Sequence, residues 1–211
     1  GFFSSKKHLS EENRTLRDEN AFLKARLSFE ALITEENREL KEILGRKKTK
    51  GDSLLASVLS RPSRSPYDTF IIGDGANAGI RPGNTVTGYG SVSLGVVERV
   101  YAGVSVVRLF SSSGEKIDAL LGTSDTPIWA LGTGGGSFRA EVPKDIAVAR
   151  DDQVTISSPD APLLGVVEEV RTAPSDSFQE VLFRTPVNIY TLKWVEVLLG
   201  TPYPSIDGRE E

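Results

Sequence analysis

Leu94-Gly95-Val96-Val97-Glu98-Arg99-Val100 returns seventy residues later as Leu164-Gly165-Val166-Val167-Glu168-Glu169-Val170. Each copy follows a turn and a short strand-like run, Gly83-Asn84-Thr85-Val86 in the first and Asp151-Asp152-Gln153-Val154 in the second. The glycine inside each copy permits a sharp bend of the kind found at barrel corners, where a side chain would clash. The spacing predicts two similar small β-barrels in tandem.

The text around these copies agrees. From Leu54 onward, short runs of Val, Ile, Leu, Thr, Phe and Tyr are cut by Gly, Pro, Asn and Asp, the pattern of antiparallel sandwiches and barrels. Ten strands are expected, the first at 54–60 and the last at 194–199. They divide into a first barrel subdomain at 54–130 and a second at 131–200, of six or seven strands each, with the boundary within 123–144. Residues 201–211, with two prolines and little apolar content, read as a disordered tail.

Ahead of the β region the periodicity changes. Glu-Asn-x-x-Leu occurs at Glu12 to Leu16, Glu19 to Leu23 and Glu36 to Leu40. Asn at one seam position with Leu three residues later fixes register in a parallel two-stranded coil, because buried amides pair only when the helices are aligned. Placing Asn13 and Asn20 at successive a positions puts Leu9, Leu16 and Leu23 at d and Leu27 at the next a. The seam then slips by three residues, an insertion that overwinds a supercoil, and resumes as Ile33, Asn37, Leu40 and Leu44. The expected organisation is an N-terminal remnant at 1–8, a parallel coiled-coil helix at 9–45 and a linker at 46–53. Gly45 would close the helix, with Arg46, Lys47, Lys48 and Lys50 beside its negative dipole end.

Composition narrows the function. The net charge of −4 and pI near 5.3 supply no footprint for nucleic acid. The lack of Cys excludes disulfides, thiolate catalysis and cysteine zinc sites, and accords with an oxidising compartment. The lack of Met leads us to expect a processed or excised piece with an anchor ahead of Gly1. No apolar run reaches the roughly twenty residues that span a bilayer.

With the heptad helix in front, Gly75-Ala76-Asn77-Ala78-Gly79-Ile80-Arg81-Pro82-Gly83-Asn84-Thr85-Val86 followed by Leu94 to Val100 resembles the MreC family of bacterial rod-shape-determining proteins. That resemblance implies a single-pass inner-membrane protein whose periplasmic part is a dimerising helix followed by two β-barrel-like subdomains. It implies a non-enzymatic scaffold of lateral peptidoglycan synthesis, without cofactor or metal. Its implied partners are a second copy, a class B penicillin-binding transpeptidase, MreD and, indirectly, MreB. Asp151-Asp152 stands where the family commonly has Gly-Asp, and the loop 157–164 is shortened.

Read from its residues alone, the same stretch is a stiff connection. Gly75, Asn77, Gly79, Pro82 and Gly83 shape the turn, while Ile80 and Val86 point inward. A phosphate-cradling loop would need a helix start, whereas Thr85 and Val86 begin a strand. Gly132-Thr133-Gly134-Gly135-Gly136 fails as a dinucleotide fingerprint and reads as a flexible hairpin tip. The single histidine, His8, lies on a fraying helix end with no pocket to support catalysis. Asp74, Asp118, Asp125, Asp151 and Asp152 are the candidates for paired-carboxylate chemistry, with solvated turns the simpler reading. Trp129, Phe183 and Trp194 are expected in core or inter-barrel packing.

The expected function is therefore scaffolding, through coil-aligned dimers whose β domains offer strand edges and apolar patches to a transpeptidase, with head-to-tail assembly of edges into filaments as a second expectation. A periplasmic adaptor of an export pump is the alternative, and it would require a two-helix hairpin within the β part. A wall hydrolase would require a cleft holding two carboxylates.

Overall fold

The computed structural model describes residues 2–43, 53–62, 68–89, 92–158, 161–172 and 176–200, with helix side chains described over 11–33. Leu44, Gly45, the linker apart from Ser53, and the tail at 201–211 lie outside the described residues. The chain divides into two compact units, Gly1–Lys50 and Gly51–Glu211.

The first unit is the helix α1, Phe2–Ile43. It contains neither Gly nor Pro and is rich in Leu, Glu, Lys and Arg, so nothing within it interrupts the hydrogen-bond ladder. Residues 2–8 continue this helix ahead of its expected start at Leu9.

The second unit consists of β1 (Ser53–Ser60), β2 (Thr69–Ile72), a 3-10 turn (Ala76–Ala78), β3 (Thr85–Gly88), β4 (Val92–Val100), β5 (Ser105–Leu109), β6 (Lys116–Leu121), β7 (Thr126–Gly134), β8 (Ser137–Pro143), β9 (Gln153–Ile156), β10 (Leu163–Arg171), β11 (Phe178–Arg184) and β12 (Trp194–Leu198). Two strands lie outside the ten expected: β3, read only as a short run at Gly83 to Val86, and β7, absent from the sequence reading. Pro127 near its start and Gly132 and Gly134 near its end read as breakers, yet a proline is tolerated where a strand begins.

Pairing closes two rings of six strands. The first runs β1, β2, β5, β4, β3, β12 and back to β1; the second runs β6, β7, β8, β11, β10, β9 and back to β6. Inward residues alternate with outward ones, as in β8, where Phe138, Ala140 and Val142 are buried between exposed neighbours. Phe70, Ile72, Val86, Val107 and Leu109 fill the first ring, and Ile117, Phe138, Val142, Ile156 and Phe183 the second. Phe138 and Phe183 stack with centroids 5.1 Å apart.

The rings do not divide at residue 130. β6 and β7 belong to the second ring, and β12 returns to close the first between β1 and β3. The expected subdomains 54–130 and 131–200 are corrected accordingly: the chain passes into the second ring after Leu109 and recrosses between Arg184 and Trp194. Repeat copies mark the middle of each ring, but which strand closes it is settled by distant hydrogen bonds.

The copies themselves form β4 and β10. Register shifts fall at the same place in both, between Val97 and Arg99 and between Val167 and Glu169. A Cβ on Gly95 would lie 2.1 Å from the Arg108 carbonyl oxygen, and one on Gly165 would lie 2.8 Å from Phe183 and 2.9 Å from the Arg184 carbonyl oxygen. The two strands meet in one parallel bridge, Leu163 opposite Val92, with Val96 packed on the second core and Leu163 on the first.

Candidate interaction surfaces

Every described strand has neighbours on both sides. The free β-edges expected to meet a partner or to propagate a filament are therefore absent from the described strands, because ring closure satisfies both sides. What the described strands present to solvent is their outward side chains.

Such side chains gather on β12, β1 and β2. Leu55 stands opposite Glu196, flanked on the same face by Trp194 and Leu198, and Leu59 lies over Gly73 beside Ser57. Ile71 continues the face on β2, opposite Ser60. Leu55, Leu59 and Trp194 are 65%, 60% and 57% exposed, so large apolar side chains stand on one outer face, interspersed with Ser57, Ser60 and Glu196. Trp194 and Trp129, expected within the packing, are both outward; only Phe183 is buried. Period-two patterning cannot separate the faces when an aromatic stands on the outer one.

The second ring's outer face has different chemistry. Arg171 bonds Glu169 at 2.8 Å and approaches Glu180 at 3.9 Å, which in turn lies 3.9 Å from Arg139. The Arg171 hydrogen bond holds the Glu169 carboxyl below its ordinary range, and Glu169 raises the Arg171 guanidinium. These groups are exposed, so the ladder favours solubility more than stability.

On α1, Asn13, Leu16, Asn20, Leu23, Leu27 and Ile33 are exposed in the single chain, as are Phe22, Phe29 and Leu32, which the heptad reading did not use. Side chains of Leu9, Asn37 and Leu40, and of His8, lie outside the described residues.

The connection from Gly75 to Val86 packs on the β4–β5 hairpin. A Cβ on Gly75 would lie 2.1 Å from the Tyr101 carbonyl oxygen, which accepts from Ala76 N–H at 2.9 Å; Asn77 N–H donates to Ala102 at 3.1 Å. Gly79 and Gly83 have φ of +84° and +86°, conformations that disfavour side chains. Pro82 lies in the turn that Asn84 closes, its Oδ1 accepting from Arg81 N–H at 2.7 Å. Asn84 was missed because its role depends on burial, at 1% exposed.

The candidate carboxylates serve turns or solvent. Asp152 Oδ2 accepts from Ala149 N–H at 2.8 Å, and Asp125 and Asp151 are exposed. Among the described residues, no three His, Cys, Asp or Glu side chains are grouped to hold a metal. No helix among them is long and apolar enough to cross a membrane.

Curated protein sequences give no match. An MreC structure from Listeria monocytogenes is similar over 93% of this chain and 100% of that one, at 24% identity and TM-score 0.72. The crystal structure of MreC from Pseudomonas aeruginosa covers 69% of this chain and 98% of that one, at 18% identity and TM-score 0.63. The major periplasmic domain of the cell shape-determining filament MreC, in its orthorhombic form, covers 72% and 98%, at 17% identity and TM-score 0.54. These likenesses establish the fold. Residues 58–199 match the family described as rod shape-determining protein MreC, barrel core, and with most of the chain inside that match this protein belongs to the MreC family.

Proposed function

We propose that this chain is a non-enzymatic periplasmic scaffold of the cell-elongation machinery, anchored in the inner membrane by a segment outside this sequence. The observation that carries the reading is the family match across both rings. Two copies zip along Asn13, Leu16, Asn20, Leu23, Leu27 and Ile33, continuing through Asn37, Leu40 and Leu44, and Leu9 lengthens the seam at its start. At about 1.5 Å per residue, the 42-residue helix spans roughly 60 Å.

The partner surface is the apolar outer face of the first ring. Trp194 and Leu55 supply aromatic and aliphatic anchors of the kind that dominate interfaces, and a class B penicillin-binding transpeptidase is the assigned partner. MreD is assigned to the membrane end, and MreB is reached through it. Filaments, where they form, use side-chain faces and not strand pairing. The adaptor alternative is disfavoured because the described residues after Ser53 contain strands and a single three-residue 3-10 turn, with no helical hairpin.

Capture of the elongation transpeptidase by the purified chain tests the proposal. Wild type and residues 54–200 alone are expected to capture it, and Trp194→Ser with Leu55→Ser to lose it while melting unchanged. Capture by neither form of a dimeric wild type would remove the scaffold reading.

A further inference from the structure

The repeat is deeper than its strands. In the first ring Gly83 N–H donates to Val97, Val97 N–H to Asn84, and Asn84 N–H to Arg81. In the second, Asp151 N–H donates to Val167, Val167 N–H to Asp152, and Asp152 N–H to Ala149. Asn84 and Asp152 also cap these turns with equivalent side-chain oxygens. On the next strand, Val96 faces Arg108 as Val166 faces Arg184. Pro82, Gly83, Arg108 and Leu109 thus correspond to Arg150, Asp151, Arg184 and Thr185.

The twins differ in how comfortable these positions are. In the first ring Gly83 occupies φ +86°, Leu109 is core, and Arg108 is paired with Glu115 at 3.0 Å and lies 3.8 Å from Glu98. In the second, Asp151 is held at φ +72°, a left-handed conformation where its twin is glycine. Thr185 replaces the core leucine with a hydroxyl that is buried and without a hydrogen-bond partner. Among the described residues, Arg150, Arg184, Asp151 and Glu168 make no ion pair. All these residues line one cleft of about 590 Å³ beside the crossing segment 184–190.

A left-handed aspartate, an unpartnered hydroxyl and unpaired charges converge at one cleft, whereas the equivalent positions of the first ring hold a glycine, a core leucine and an arginine that is ion-paired although its buried Nε has no hydrogen bond. Features that disfavour a fold persist together where a ligand uses them. We propose that the cleft binds a short peptide segment bearing both a carboxylate and an ammonium group. Arg150 and Arg184 offer forked donors suited to a carboxylate, whereas Asp151 and Glu168 offer acceptors for an ammonium. Thr185 lines the cleft with its hydroxyl buried, and Val166 and Tyr190 supply apolar wall. Two cations balanced by two anions disfavour a polyanion, and the volume lies in the usual range of small-ligand sites.

The test is calorimetric titration of the full chain with acetyl-Ala-Lys-Ala-Glu-Ala-amide, and with sister peptides in which Gln replaces Lys or Glu. Binding of the mixed-charge peptide is expected, weakened at least tenfold in either sister. Asp151→Gly and Thr185→Leu, which install the first ring's own residues, are expected to weaken it at least tenfold while melting at or above wild type. Arg184→Gln checks the carboxylate contact separately, with a loss confined to the Glu-containing peptides. No binding at millimolar peptide, or binding that these folded variants leave unchanged, would overturn the proposal.

Discussion

The Asp68 carboxylate, only 4% exposed, accepts the backbone N–H of Gly135, sixty-seven residues further along the chain. It thereby fastens the β7–β8 hairpin tip of the second ring to the entrance of β2 in the first. The same Oδ2 accepts from Ser111 Oγ at 3.1 Å, and the Asp68 backbone oxygen accepts from Leu109 N–H and Ser112 Oγ at 3.0 and 3.1 Å. The tip expected to be flexible is thus a docked element, with Thr185 N–H also donating to Gly136 at 2.9 Å.

Asp68→Ala leaves the Gly135 N–H and the Ser111 hydroxyl without their acceptor in a buried place. A loss of about 2–3 kcal/mol is expected in urea unfolding. Asp68→Asn keeps one acceptor oxygen and should cost about half as much. Equal stability of Asp68→Ala and wild type would show that the junction is not a structural fastening.

Gly95→Ala should be more damaging than Gly165→Ala. The added methyl meets rigid backbone at 2.1 Å in the first case, and a phenylalanine ring and backbone at 2.8 and 2.9 Å in the second. Losses of about 3 kcal/mol or more and about 2 kcal/mol are expected from thermal melts. The reverse order would contradict the tighter backbone approach at Gly95.

Two aromatics on opposite sides of the ring walls separate packing from recognition. Phe183→Ala, removing a buried ring stacked on Phe138, is expected to cost about 3–5 kcal/mol. Trp194→Ser, at an exposed position, should stay within about 0.5 kcal/mol of wild type and act on transpeptidase capture alone.

Leu16→Asp with Leu23→Asp should abolish the proposed dimer in sedimentation, because charges at d positions oppose helix pairing. The barrels should keep their melting temperature, as the described core residues of both rings all belong to the β unit. An unchanged sedimenting mass would reject the seam.

Arg171→Ala should return the Glu169 carboxyl towards its ordinary range in an NMR pH titration, since the Arg171 hydrogen bond is what lowers it. A depressed carboxylate favours the folded state fully above the ordinary range and progressively less as pH falls through the lowered value. The acid limb of the unfolding profile should therefore lose this contribution in Arg171→Ala. An unmoved Glu169 titration would refute the assigned cause.

Much of this molecule is written locally. Uninterrupted helix-forming residues specified α1, alternation specified most strands, and the repeated Leu-Gly-Val-Val-Glu specified twin corners whose glycines no other residue could replace without backbone collision. Periodicity and backbone permissiveness are properties of a few neighbouring residues, so they can be read in order along the chain. Tertiary structure alone decided that β12 closes the first ring, that Trp129 and Trp194 face outward, and that Asp68 reaches Gly135. Each depends on hydrogen bonds or burial between residues far apart in the chain, where the energy of a position is set by what closes over it.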